Sequence, residues 1–142
     1  MTYLDTGCFV KLYYPESDSA KVVGLIQGKR LCCTPLHELE LVNALQLMVF
    51  FKSATAAQVT AARALVETDL KAGVLSSPVA EWKEILGEAV KLAELHTGTI
   101  GCRSLDIMHC AAAKVLGASE FVSTDARQRK LAVAMGLNLV TF

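Results

Sequence analysis

The chain has 142 residues, just over half of them apolar and a fifth charged, which suits one ordered domain over residues 1–142 and excludes a disordered segment. Lys plus Arg equals Asp plus Glu, so bulk charge announces no nucleic-acid binder, although a local basic patch would suffice. Cys8, Cys32, Cys33, Cys102 and Cys110 lack Cys-x-x-Cys spacing, which argues against zinc and a disulfide framework and for buried thiols in a reducing cytoplasm. No signal peptide or membrane-length apolar run is visible.

The first predicted element is a strand, Met1 to Asp5, an apolar run closed by a carboxylate. Thr6 to Tyr14 reads as a helix stopped by Pro15. Hydroxyls and acids in Glu16-Ser17-Asp18-Ser19 start a second helix, with Ala20, Val23 and Ile26 on one face and Gly28 at its end. Arg30 to Thr34 is a short strand, and Pro35 suits the first turn of the helix after it. That helix runs from Leu36 to about Lys52, its core face passing through Leu41, Leu45, Met48 and Lys52. Thr55 to Lys71 repeats helical spacing through Val59, Ala62, Val66 and Leu70. Gly73-Val74-Leu75 predicts a small strand. Pro78 is expected to open a helix through Trp82, Ile85, Ala89 and His96 that breaks at Thr97-Gly98-Thr99. Ser104 is expected to cap a helix carrying Leu105, His109, Ala112 and Leu116, closed by Gly117. Glu120 to Ser123 is a fourth strand, Thr124 and Asp125 start a helix through Met135, and Leu137 to Phe142 is a fifth strand. Strands separated by single helices or helix pairs imply right-handed crossovers and a parallel sheet, hence an α/β fold.

Four carboxylates stand out. Asp5 ends the first strand, at the sheet edge where open α/β folds bind ligands. Asp125 follows the fourth strand, Asp106 opens the Ser104 helix, and Glu40 lies mid-helix among apolar residues. Taken singly, Asp5, Asp106 and Asp125 suit helix capping, worth roughly 0.5–2 kcal/mol each. If strands one and four are neighbours, the acids gather at one edge and repel unless a counter-charge is present. A hard divalent ion meets that need, because Mg²⁺ takes carboxylate and phosphate oxygens. Such an ion also activates water and clamps a phosphodiester. His109, one turn from Asp106, either orients a carboxylate or water or is a packed helix residue. His37 and His96 have no partner at zinc-ligand spacing. Arg127, Arg129 and Lys130 either track an RNA backbone or form a solvated face.

These residues resemble the PIN domain, and most nearly the toxin ribonucleases of VapBC-type toxin–antitoxin pairs. The resemblance covers essentially the whole chain. It rests on Tyr3-Leu4-Asp5-Thr6, Glu40-Leu41-Val42-Asn43-Ala44-Leu45, Arg103-Ser104-Leu105-Asp106-Ile107-Met108-His109 and Phe121-Val122-Ser123-Thr124-Asp125. It implies a three-layer fold, a five-stranded parallel sheet flanked by helices, and Mg²⁺- or Mn²⁺-dependent cleavage of single-stranded RNA. It carries over Asp5, Glu40, Asp106 and Asp125 as catalytic, metal-binding acids, with Thr6 and Ser123 behind them. It further implies an antitoxin partner and a homodimer, seated on the apolar helices between Leu36 and Leu70. Glu38 and Glu40 face different sides of their helix, and Glu40 is chosen from its spacing to Ala44-Leu45. No strongly basic stretch accompanies the motifs. The alternative is the same fold without turnover, a catalytically inactive RNA- or protein-binding module. An aspartyl-nucleophile phosphatase is disfavoured because Gly7 stands where a second acid is wanted.

Overall fold

The computed structural model describes residues 1–140 of the chain. Its centre is β1 (Thr2–Leu4), a wholly buried run. β1 pairs in parallel with β2 (Leu31–Cys32) on one side and β4 (Glu120–Val122) on the other. β3 (Leu75–Ser76) lies beyond β2, so the sheet order is β3-β2-β1-β4. Strand alternation divides the core in two. Leu4 and Val122 face α1 (Thr6–Tyr13), α2 (Ser19–Ile26), α3 (Pro35–Phe50) and α4 (Ala56–Lys71), packing with Phe9, Leu45 and Val66. Tyr3 and Phe121 face α5 (Trp82–Leu92), α7 (Ser104–Val115) and α8 (Ala126–Ala134), packing with Ile85, Cys110 and Leu131. Ala111, Ala112 and Ala113 are fully buried, so α7 lies against its neighbours with almost no side-chain spacer. This is an α/β fold with a parallel sheet between helical layers. All five cysteines are buried and unbridged. Among the described residues no helix is long and apolar enough to cross a membrane.

The structure corrects five sequence expectations. Among the described residues the sheet has four strands rather than five: in the expected Leu137–Phe142 strand, residues 137–140 make a single bridge, Leu139 to Phe121, and residues 141 and 142 lie outside the described part. The helix expected from Pro78 begins at Trp82, with Glu81 in the N-cap position. It does not break at Thr97-Gly98-Thr99. A π turn, Ala93–Thr97, leads into α6 (Gly98–Ile100), and Gly101 at φ 73° ends the run in the left-handed region open to glycine. Ser104 is the first helical residue rather than the cap, because Arg103 keeps an extended backbone before it. Lys52 is not on the core face: it follows α3 at φ 58° and is exposed.

One polar side chain locks α3 to the central strand. Thr34 and His37 form a capping box, Thr34 Oγ1 accepting from the His37 amide while His37 Nδ1 accepts from the Thr34 amide at 3.1 Å. Nε2 then donates to the Leu4 carbonyl at 2.8 Å. This is the neutral tautomer, and the ring is fully buried. Burial, helped by nearby His109, pushes the His37 pKa down to about 3. The unfolded chain takes up this proton near the ordinary value of about 6.5, well before the folded one, so stability is lost as pH falls through that window. Between about pH 6.5 and pH 4, chemical denaturation of the wild type is expected to lose roughly 2–3 kcal/mol more than His37→Gln does over the same range.

Candidate active site

A cleft of about 420 Å³ opens at the carboxyl edge of the sheet, and all four predicted acids line it. In-register pairing of Leu4 with Val122 sets Asp5 and Ser123 at the same level on neighbouring strands. Asp5 caps α1, its Oδ1 accepting from the Cys8 amide at 2.7 Å. Asp125 caps α8, its Oδ1 accepting from the Arg127 and Gln128 amides at 2.9 Å each. Asp106 sits in the first turn of α7 and caps nothing. Glu40 reaches in from α3. Capping and facing the cleft therefore coexist in Asp5 and Asp125.

Asp5 is 5 % exposed, with its second oxygen 2.5 Å from Ser123 Oγ. That hydroxyl accepts from the Asp125 amide at 3.0 Å and also lies 2.8 Å from Gln128 Oε1. One hydroxyl hydrogen thus faces two acceptors, and it can serve only one at a time. Burial raises the Asp5 pKa, and the bonds from Ser123 and Cys8 only partly oppose it. Gln128, also buried, donates from Nε2 to the Asp106 carbonyl at 3.3 Å and so ties α8 to α7.

Glu40 is held by a separate network. Its Oε2 accepts from Thr6 Oγ1 at 2.8 Å and from His109 Nε2 in a short contact. Tyr3 OH lies 3.0 Å from His109 Nδ1. Burial keeps the Tyr3 phenol protonated far above its ordinary range. A carboxylate only accepts, so Nε2 carries the hydrogen in the contact with Glu40. Burial pushes the Glu40 pKa up, but the bonds from His109 and Thr6 outweigh it and leave the carboxyl lowered, hence ionised. His109 is both of the things its sequence position allowed: a packed helix residue, 2 % exposed, and the orienter of a carboxylate.

Asp106 and Asp125 share a cation supplied by the chain. Arg103 Nε donates to Asp106 Oδ2 at 2.8 Å, and its Nη2 lies 3.3 Å from both Asp106 Oδ1 and Asp125 Oδ2. The expected repulsion among the acids is therefore relieved by protein groups: Arg103 for two, His109 and Thr6 for Glu40, Ser123 and the Cys8 amide for Asp5. Among the described residues, no three His, Cys, Asp or Glu side chains are arranged to hold a metal ion. The donor chemistry nonetheless fits a hard divalent cation, since four carboxylates line the cleft, together with Arg103 and His109. Asp5, Asp106, Asp125 and Glu40 would hold it.

The remaining sequence candidates lie elsewhere. Glu38 is exposed and lines a different pocket with Arg63 and Glu67. Arg127 reaches the Gly101 carbonyl at 3.5 Å, while Arg129 and Lys130 border another surface hollow with Val133 and Leu139. Arg103 stood within a sequence motif without being given a role, and Gln128 was passed over. For Arg103 the signal was its position three residues before Asp106, an ion-pair spacing at a helix start. Gln128 gave no signal, since its partners are set by tertiary packing.

A carboxyl-edge cleft of acids on a parallel α/β sheet is the architecture defined so far. The PIN domain family profile matches residues 2–134, and the chain belongs to that family. Among solved structures, the crystal structure of FitAcB from Neisseria gonorrhoeae is similar in fold, with a TM-score of 0.65 and 14% sequence identity over 99% of this chain and 97% of that one. Among curated proteins no relative matches.

The Asp5 environment generates a prediction. A carboxyl whose folded pKa is raised lowers stability once the pH passes its unfolded value, because the buried charge forms at a cost. In Asp5→Asn the amide can donate to Ser123 Oγ, freeing the hydroxyl hydrogen for Gln128 Oε1. Thermal melting at pH 7 is expected to show Asp5→Asn as stable as the wild type or about 1 kcal/mol more stable.

Proposed function

We propose that this chain is a divalent-metal-dependent endoribonuclease that cuts single-stranded RNA, acting as the toxin of a type II toxin–antitoxin pair of the VapC kind. The observation that carries the reading is that acids from four separate sequence segments line one cleft at the sheet's carboxyl edge. PIN domains are generally nucleases, and no serine, cysteine or lysine nucleophile is needed for metal-assisted hydrolysis. Mg²⁺ or Mn²⁺ bound there supplies electrostatic stabilisation of phosphoryl charge and activation of water. Asp5 and Asp125 would hold the ion, with Asp106 holding it directly or through water. Glu40, kept ionised by His109 and Thr6, would orient the attacking water or accept its proton. Ser123 fixes the Asp5 carboxyl.

Surface features support the partners. An apolar hollow of about 430 Å³, walled by Val10, Leu39, Ala44, Leu47 and Leu105, shares Thr6 and Glu40 with the acidic cleft. It suits an apolar helix of an antitoxin whose basic side chain enters the cleft. Phe50 and Phe51, 75 % and 69 % exposed at the end of α3, favour a homodimer. The engagement of Asp106 and Asp125 by Arg103 favours the second reading, an inactive binding module. Calorimetry with Mg²⁺ or Mn²⁺ discriminates, since a module without turnover has no need of metal in the cleft.

The decisive assay is cleavage of single-stranded RNA by purified protein with Mg²⁺ or Mn²⁺. Asp5→Asn is expected to abolish cleavage while its circular dichroism and melting stay those of a folded protein. Undiminished cleavage by that variant would eliminate the mechanism. In cells, expression is expected to arrest growth and Asp125→Ala to relieve the arrest.

A further inference from the structure

Arg103 occupies three of the four outward carboxylate oxygens on its side of the cleft. Both Asp106 oxygens face its guanidinium, as does Asp125 Oδ2, while Asp125 Oδ1 is committed to backbone amides of α8. A divalent ion taking Asp106 and Asp125 needs these same oxygens at roughly 2.0–2.1 Å for Mg²⁺. A guanidinium left on the same two acids, charged at any pH a protein tolerates, would then stand a few ångströms from a dication, and their repulsion opposes its staying. The side chain is free to leave, being 62% exposed and, among the described residues, held through its guanidinium by these two acids alone. Nearby groups favour the more highly charged cation: Glu40 across the cleft attracts in proportion to charge, and His109 is spent on Glu40.

We propose that Arg103 is a positioning residue that holds Asp106 and Asp125 in register and is exchanged for the divalent ion when one binds, so that it sets the affinity of the cleft for metal. The inference rests on the metal-dependent reading above and extends it to the regulation of the site. It gives a chain of zero net charge an internal cation in the cleft that four of its acids line. Metal loading then consists of a swap of one cation for another rather than the filling of a bare acidic hole. Loading weakens less steeply with salt than it would for unpaired carboxylates, because the charge in the cleft changes by one unit rather than two.

The test uses the full chain and Mn²⁺ alone. Isothermal titration is compared for wild type, Arg103→Ala and Arg103→Lys, with melting curves recorded in chelator and in Mn²⁺. Arg103→Ala is expected to bind Mn²⁺ roughly tenfold more tightly than wild type, with Arg103→Lys between them. In chelator Arg103→Ala is expected to melt below wild type, since its acids lose their counter-charge, and Mn²⁺ is expected to raise its melting temperature by more. A purely structural clamp predicts the opposite, equal or weaker Mn²⁺ binding by Arg103→Ala as the carboxylates splay, and that result overturns the proposal while leaving the nuclease reading standing. Absence of Mn²⁺ binding by wild type and both variants overturns the proposal and the metal-dependent reading together. Circular dichroism of the exposed-site variants confirms that each comparison is between folded proteins.

Discussion

The parallel pairing of β1 with β4 is the constraint on which the rest of the structure depends. Three consecutive registered pairs, Thr2 with Glu120, Tyr3 with Phe121 and Leu4 with Val122, bring together segments more than a hundred residues apart. The Asp5 amide extends the ladder to the Val122 carbonyl at 2.9 Å. Because the strands are parallel, both then leave the sheet at one edge, and both are followed at once by helices. The amino ends of α1 and α8 therefore point into a common space, and α7 adds a third. Helix amino ends carry partial positive charge, favourable to nearby anions by about 0.3–1 kcal/mol each at the surface. Acids at these positions are thus locally stabilising in each helix taken alone, and collectively they make a cleft. Three of the four acids thus come from ordinary helix starts placed side by side; Glu40 reaches in from the middle of α3, and the burial of Asp5 is a cost the site carries.

That coincidence decides how much could be read from the sequence. Asp5 and Asp125 were legible because each stands at a strand-to-helix junction, and the grammar of such junctions is local. Asp106 was legible as a first-turn acid. For these residues capping and function were posed as competing explanations, yet in Asp5 and Asp125 the same carboxylate caps one helix with its first oxygen and turns its second toward the cleft or its supporting residues. Glu40 was harder, because nothing local distinguishes it from Glu38; the helix phase that buries Leu41 and Leu45 decides between them. Arg103, His37 and Gln128 carry their importance in contacts to other elements, which a window of neighbouring residues does not contain. The segment boundaries that differed have the same origin. A π turn keeps the helix after Trp82 going past its apparent breakers, and among the described residues the last apolar run meets β4 in one bridge.

Behind the acids lies a polar network of uncommon depth. His37 and His109, with ring centroids 5.2 Å apart, both pack against Tyr3, joining β1 to α3 and α7. Such a network is costly if any member is unpaired and specific if all are satisfied. Here each ring nitrogen has a partner, and among the described residues Thr97 Oγ1 is the buried side-chain polar atom without one. The network fixes the rotamer of Glu40 from behind, by way of a strand in the sheet, rather than from the solvent side.

The unbridged thiols have a consequence of their own. Burial pushes Cys32 up to about 12 and Cys33 up to about 11, so in the native fold neither is a thiolate at neutral pH and neither is open to oxidants. Once the chain opens, five sulfhydryls recover ordinary acidity together, two of them adjacent in sequence. In air the opened chain is then captured by cross-links that the native state never contains. Durability of this protein outside a reducing solution becomes a question of how seldom it opens, a rate rather than a balance of populations.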